Sequence, residues 1–226
     1  ATVGGLLNGI HYTSHTYEEP LIAFFNAADV GTASWGNFAM RDISSEPRVA
    51  YTNTPSYSNR LAVENYYLNL YGYLSIANDA LLVIKADENG KVQEPDMCKA
   101  VAYYAQAYTI GHVGMFFDKG FVVTENTDLT GEMNMLPYSE VIDSAVAICD
   151  KVIALCESKT FTIPQSWLPT SATYSNVEFG RLANTLAARL LTYKSRNASQ
   201  NTANDWNKIK GYASKGIQMD YAPIMD

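Results

Sequence analysis

Apolar positions recur along this chain at intervals of three and four, the spacing of amphipathic helices rather than strands. The pattern predicts a first helix over roughly Thr2 to Tyr12 and a long one over about Ser58 to Ala86. In the long helix the residues read as facing inward include Leu61, Tyr67, Leu68, Leu74, Ile76 and Ile84. Asn89 and Gly90 then read as a helix stop. Pro95 and Asp96 open the next helix, which runs to about Asp118. The short link between these two helices predicts an antiparallel hairpin.

Two more helices, "YSEVIDSAVAICDKVIALCES" and "NVEFGRLANTLAARLLTYKSRN", predict a second hairpin. In "DWNKIKGYASKGIQMD" Asp205 reads as the N-cap, with Trp206, Ile209, Tyr212, Ala213 and Ile217 facing inward. That segment reads as the first half of a third hairpin. Between Ser14 and Pro55 the period is lost in a stretch rich in Gly, Asn, Ser, Thr and aromatics; "LIAFFNAADV" within it reads as a helical turn or an extended segment. Irregular stretches of such length are usually functional or disordered.

One helix carries a mixed message. In "CKAVAYYAQAYTIGHVGMFF" Ala100, Ala102, Ala105, Ala107, Gly111 and Gly114 are very small, whereas Tyr103, Tyr104, Tyr108, Phe116 and Phe117 are large. Small residues let helix backbones approach, and large aromatics fill the layer beside them. Tetratricopeptide-like arrays use this device. The expected fold is therefore all-α, stacked helical hairpins of tetratricopeptide-like character with long irregular loops, over 1–226 as a single helical domain.

Composition narrows the function. The chain of 226 residues is 47% apolar and 17% charged, with a net charge of −7 and no basic run. Binding a phosphate backbone needs clustered Lys and Arg, so no nucleic-acid partner is expected. No run of 18 apolar residues exists to span a bilayer. Cys98, Cys149 and Cys156 are too dispersed for a zinc site and read as small buried hydrophobes. His11 and His15 share a helical spacing but lack a third ligand, so they read as structural, and neither a metal nor a cofactor is expected. Asn197-Ala198-Ser199 fits a glycosylation acceptor pattern and is given no role. No phosphate loop, G-x-S-x-G or H-E-x-x-H motif is present.

The order of segments is informative beyond periodicity. A first helix, a polar and aromatic loop with "SSEPR", a helix carrying "IANDALLVI", then "KAVAYYAQAYTIGHVGMFFDKGFVV", "LPYSEVIDSAVAICDKVIAL", "RLANTLAARLLTYKSR" and "DWNKIKGYASKGI" follow one another. This order resembles the SusD/RagB family of Bacteroidetes outer-membrane nutrient-binding lipoproteins. The likeness runs over nearly the whole chain but only the N-terminal portion of the family fold. The turn Phe117-Asp118-Lys119-Gly120-Phe121 departs from the family pattern in lacking a Pro. The resemblance implies a SusD-like array of four helical hairpins, loops that bind glycan, and a face that packs on a SusC-like TonB-dependent transporter. It implies location at the cell surface on the outer membrane through an N-terminal lipid anchor that this sequence does not include. The chain starts at "ATVGGLLNGI" without an initiator Met, and is expected to be a trimmed N-terminal portion of a longer protein.

Saccharides are held by stacking on aromatic faces and by hydrogen bonds from amides, carboxylates and guanidinium groups to hydroxyls. The segment 32–57 offers both, with Trp35, Asn37, Arg41, Asp42, Glu46, Arg48, Tyr51, Asn53 and Tyr57. The candidate ligand-binding residues are Trp35, Arg41, Asp42, Arg48, Tyr51 and Asn53, with Trp167 in a second loop; Trp35, Tyr51 and Trp167 serve equally as plugs or anchors of the helical array. The leading expectation is a non-catalytic protein that binds oligosaccharide or another nutrient and delivers it to the transporter. A tetratricopeptide-like scaffold that binds only protein is the alternative. A glycan-active enzyme using Asp42 or Glu46 ranks third.

Overall fold

The computed structural model describes residues 3–15, 22–31, 39–47, 50–168, 170 and 172–222. Nine α-helices and two small sheets make up the described residues, 63% of them helical. The fold is thus all-α in class. The helices are α1 (Gly4–His15), α2 (Ile22–Ala27), α3 (Met40–Ser44), α4 (Leu61–Lys85), α5 (Pro95–Phe116), α6 (Tyr138–Ser158), α7 (Asn176–Tyr193), α8 (Ala198–Ala203) and α9 (Trp206–Ser214). The chain divides into two compact units, residues 1–10 with 73–226 and residues 11–72, with the boundaries falling within α1 and α4.

The larger unit is organised around α5. Every residue from Met97 to Gly114 is buried except Lys99 and Tyr103. A helix apolar on all sides belongs in the middle of a core. Helix α6 packs on it, α7 packs on α6 and touches α5, and α9 packs on α7. The small residues of α5 are what permit this approach. A Cβ added to Gly114 would lie 2.7 Å from Ile142 Cγ1, 3.1 Å from the Tyr138 carbonyl oxygen and 3.2 Å from the Ile142 nitrogen. One added to Gly111 would lie 2.7 Å from both δ carbons of Leu190. Tyr104 fills the next layer against Phe179, with ring centroids 5.1 Å apart. The Nδ1–H of His112 donates to the Tyr108 carbonyl at 2.8 Å, and the two rings stack at 3.8 Å.

Each long connection in this unit is clamped at its base by a two-residue antiparallel bridge. Strand β1 (Lys119–Gly120) pairs with β2 (Leu136–Pro137), placing Lys119 opposite Pro137 between α5 and α6. Strand β3 (Thr162–Ile163) pairs with β4 (Tyr174–Ser175) between α6 and α7. Ser175 then starts α7 with a reciprocal cap, its Oγ accepting from Glu178 N while Glu178 Oε2 accepts from Ser175 N. Asp205 caps α9 as its sequence predicts, accepting from Lys208 N at 2.9 Å. Asn197 is likewise spent as a cap, on Gln200 N at 2.9 Å. The three cysteines are buried and unpaired.

Arg196 seals the end of α5. Its guanidinium donates to the carbonyls of Gly114 and Phe117 at 3.0 Å and to Asp118 Oδ1 at 2.7 Å, and lies 3.6 Å over the Tyr138 ring. The last carbonyls of a helix lack intrahelical partners, and a cation there also meets the negative end of the dipole.

Two expected faces differ from the structure. In α4 the buried apolar side chains are Ala62, Tyr66, Leu70, Leu74, Ala77 and Leu81, with the polar Asn78, whereas Leu61, Leu68 and Ile76 are exposed. The buried apolar set follows a four-four-four-three-four spacing, and Glu64, Asn65, Asn69, Ser75 and Asp79 lie on the opposite side, where Leu61, Leu68 and Ile76 stand among them. In α9 only Ile209 is buried, and Trp206 is 45% exposed. The stretch after Ser14 is also less irregular than its composition suggests, since it holds α2 and α3.

Gly114→Ala is expected to cost about 1–3 kcal/mol through its clash with the α6 backbone, outweighing the roughly 1 kcal/mol gained in helix propensity. Gly111→Ala meets only the movable end of Leu190 and is expected to fall within about 1 kcal/mol of the parent. Urea melts of the two variants separate these outcomes. Arg196→Ala is expected to lose about 1–2 kcal/mol in the same assay, because three acceptors lose a charged donor at a partly solvated site.

Candidate functional site

In the smaller unit the chain turns through residues 54–60 into α4, with Tyr57 N donating to the Thr54 carbonyl and Arg60 N to the Tyr57 carbonyl. The core beneath is made of alanines: Ala23 from α2, Ala39 before α3, and Ala62 from α4. Ile43, Tyr51 and Tyr57 pack against it, half-buried. Ala39 sits at φ 59°, a left-handed conformation that costs an L-residue about 1–2 kcal/mol. Its methyl is fully buried in the alanine core, so packing holds a backbone bend that launches α3.

An open cavity of about 490 Å³ lies on this platform. Its described lining includes Asp42, Tyr51, Tyr57, Ser45 and Thr52, with Ala27, Ile43 and Ala50 as the apolar share. The two tyrosine rings meet edge to face, 5.3 Å apart at 89°. The Tyr51 hydroxyl reaches the Asn59 carbonyl at 3.3 Å and the Arg60 carbonyl at 3.2 Å, which fixes the ring against the start of α4. Tyr57 donates its hydroxyl to Asp42 Oδ2. Burial first, and then this bond to a carboxylate, push the Tyr57 phenol above its usual range. Ser45 donates its hydroxyl to the Arg41 carbonyl. The described lining therefore presents apolar ring surface, hydroxyl oxygens and one carboxylate held by a phenol.

Of the residues the sequence nominated, Asp42 and Tyr51 line this cavity. Arg41 is exposed on α3, one residue and about 100° around the helix from Asp42, and is not in the described lining. Asn53 is exposed beside the lining residue Thr52. Trp35 and Arg48 lie outside the described residues, as does Asn37. Trp167 belongs to the larger unit, in a 3-10 turn (Gln165–Trp167). There its ring covers Gly4, where an added Cβ would stand 2.6 Å from Nε1. That contact anchors the connection between α6 and α7. Tyr57 matters more than its place among the loop aromatics suggested. Its link to Asp42 spans 15 residues and carries no local sequence signal.

His11 is buried, as a structural histidine would be. Among the described residues no group of three or more His, Cys, Asp or Glu is placed to hold a metal ion. No helix of the described residues is long and apolar enough to cross a membrane.

A phenol whose pKa is raised on folding contributes stability that is complete below pH 10 and is lost as pH climbs through the folded value. Ring-labelled tyrosine NMR, with Tyr57→Phe to assign the signal, is expected to show Tyr57 titrating above 10. Asp42→Asn is expected to bring that midpoint down, since the neutral amide removes both the charge and the charged acceptor. A midpoint indifferent to Asp42→Asn would show that the bond does not hold in solution. Comparison with protein-family models, with curated proteins and with solved structures finds no match to this chain.

Proposed function

We propose that this chain is a non-catalytic, SusD/RagB-like binding protein of the cell surface, which takes oligosaccharide into the Asp42–Tyr51–Tyr57 cavity and passes it to a SusC-like TonB-dependent transporter of the outer membrane. In this reading the helices of the larger unit form a tetratricopeptide-like array, and a lipid anchor outside this sequence tethers the protein. No chemical step is assigned to Asp42, whose carboxylate serves as an acceptor.

The observation that carries the reading is the pairing of a fixed aromatic edge with a carboxylate at one cavity. A volume near 490 Å³ suits a ligand of one to a few sugar rings. A pyranose presents an apolar face to the tyrosine rings and hydroxyl donors to Asp42. The Tyr51 hydroxyl is engaged with the backbone, so Tyr51 offers ring surface rather than a polar handle.

A second reading, a scaffold that binds only protein, draws support from the exposed apolar residues Leu61, Leu68, Leu82 and Val83 along α4. Calorimetric titration with soluble plant, microbial and host polysaccharides tells the two apart. On the first reading one or more polysaccharides bind, and Tyr51→Ala or Tyr57→Ala weakens that binding by about five- to thirty-fold, equivalent to one aromatic contact of roughly 1–2 kcal/mol. Binding that survives both substitutions, or no binding by the chain or by any longer form of it, moves the assignment to the scaffold.

A further inference from the structure

We infer that the Asp42–Tyr51–Tyr57 cavity selects uncharged, hydroxyl-rich saccharides and rejects uronate-bearing ones; the inference rests on the saccharide reading above. Asp42 is the one charged residue in the described lining. Its Oδ2 takes the Tyr57 hydroxyl, and no other side-chain hydrogen bond or ion pair holds its carboxylate among the described residues. Oδ1 is therefore left to accept from a ligand hydroxyl. A second carboxylate brought by the ligand would meet it with no cation between them in the described lining.

The neighbouring charges of the described residues do not reverse this. Arg60, at the entry to α4, is held by Glu64 at 2.9 Å. Arg41 stands on α3 outside the described lining. The chain as a whole carries a net charge of −7, which repels a polyanion before it docks. Tyr57 sharpens the effect. A phenol that donates to Asp42 holds the carboxylate in place, and its proton is retained well past neutral pH because burial and the bond itself raise its pKa. The phenol thus remains a donor to Asp42 across the physiological range. A carboxyl-for-hydroxymethyl exchange on an otherwise matched sugar is the chemical difference the cavity reads.

The test uses the full chain at low ionic strength and two sets of probes in calorimetry. One set is neutral (soluble glucans, galactans, xylans and mannans), the other uronate-rich (oligogalacturonate and alginate oligomers). Neutral probes are expected to bind at least about ten-fold more tightly than uronates, the scale of one like-charge contact at a partly solvated site. Raising salt is expected to narrow the gap, because screening weakens the repulsion and leaves ring stacking intact. Asp42→Asn, with an unchanged melting temperature as its control, is expected to weaken the neutral ligand and to raise the relative affinity for uronate about ten-fold. Tyr57→Phe keeps the ring and the Asp42 charge, so discrimination is expected to persist at lower overall affinity. Uronate bound as tightly as neutral sugar, or a preference that Asp42→Asn leaves unmoved, overturns the inference while leaving the saccharide reading in place. Silence from both sets overturns the saccharide reading and the inference with it.

Discussion

The close approach of α6 to α5 at Gly114 is the constraint on which the larger unit depends. A backbone carbonyl and a backbone nitrogen of α6 lie 3.1 and 3.2 Å from where a Cβ would stand, so any other residue there pushes the two helices apart. Close approach leaves little space between helices, and that space must be filled by shape. Tyr104, Phe179, Ile142 and Leu190 do so, all buried, and α5 becomes a core element on every side. The end of that helix then needs its free carbonyls satisfied near the surface, which Arg196 accomplishes from a point 82 residues away. Packing, capping and the bridged connections are linked consequences of one approach distance.

The smaller unit applies the same physics with a different outcome. The cluster under its cavity is alanine, which buries little apolar area per residue and lets chain segments come close together. Ile43, Tyr51 and Tyr57 pack at the rim of this cluster, and the two tyrosines end half-buried in the cavity lining. On the proposed function, these tyrosines cost little side-chain entropy on complex formation, because each ring is already fixed by a neighbour: Tyr51 by two backbone carbonyls, Tyr57 by Asp42. The cavity is therefore preorganised by packing from below and hydrogen bonds from the side.

The sequence made the helices legible where one face differs clearly from the other. The period of α6 puts Val141, Ile142, Ala145, Ile148, Val152 and Leu155 on one face, and all but the half-exposed Leu155 are buried. Helix α4 misled because leucines and tyrosines occur around most of its circumference, and packing chose Ala62 and Ala77 over Leu61 and Ile76. The two-residue bridges have no period at all, so nothing in the sequence announced them. The cap at Ser175 was present in the text as Ser-x-x-Glu, a local signal that a closer reading finds. The cavity was half legible. Residue type pointed to Asp42 and Tyr51, but the Asp42–Tyr57 bond and the covering of Gly4 by Trp167 join positions that only folding brings together.

The central claim is that ligand enters the smaller unit at Tyr51 and Tyr57. The most direct measurement follows all tyrosine ring signals by NMR while a soluble oligosaccharide that binds the chain is titrated in. The account requires saturable shifts at Tyr51 and Tyr57, with the buried rings of Tyr104 and Tyr108 unmoved. Saturable shifts confined to tyrosines of the larger unit, with Tyr51 and Tyr57 silent, would contradict it.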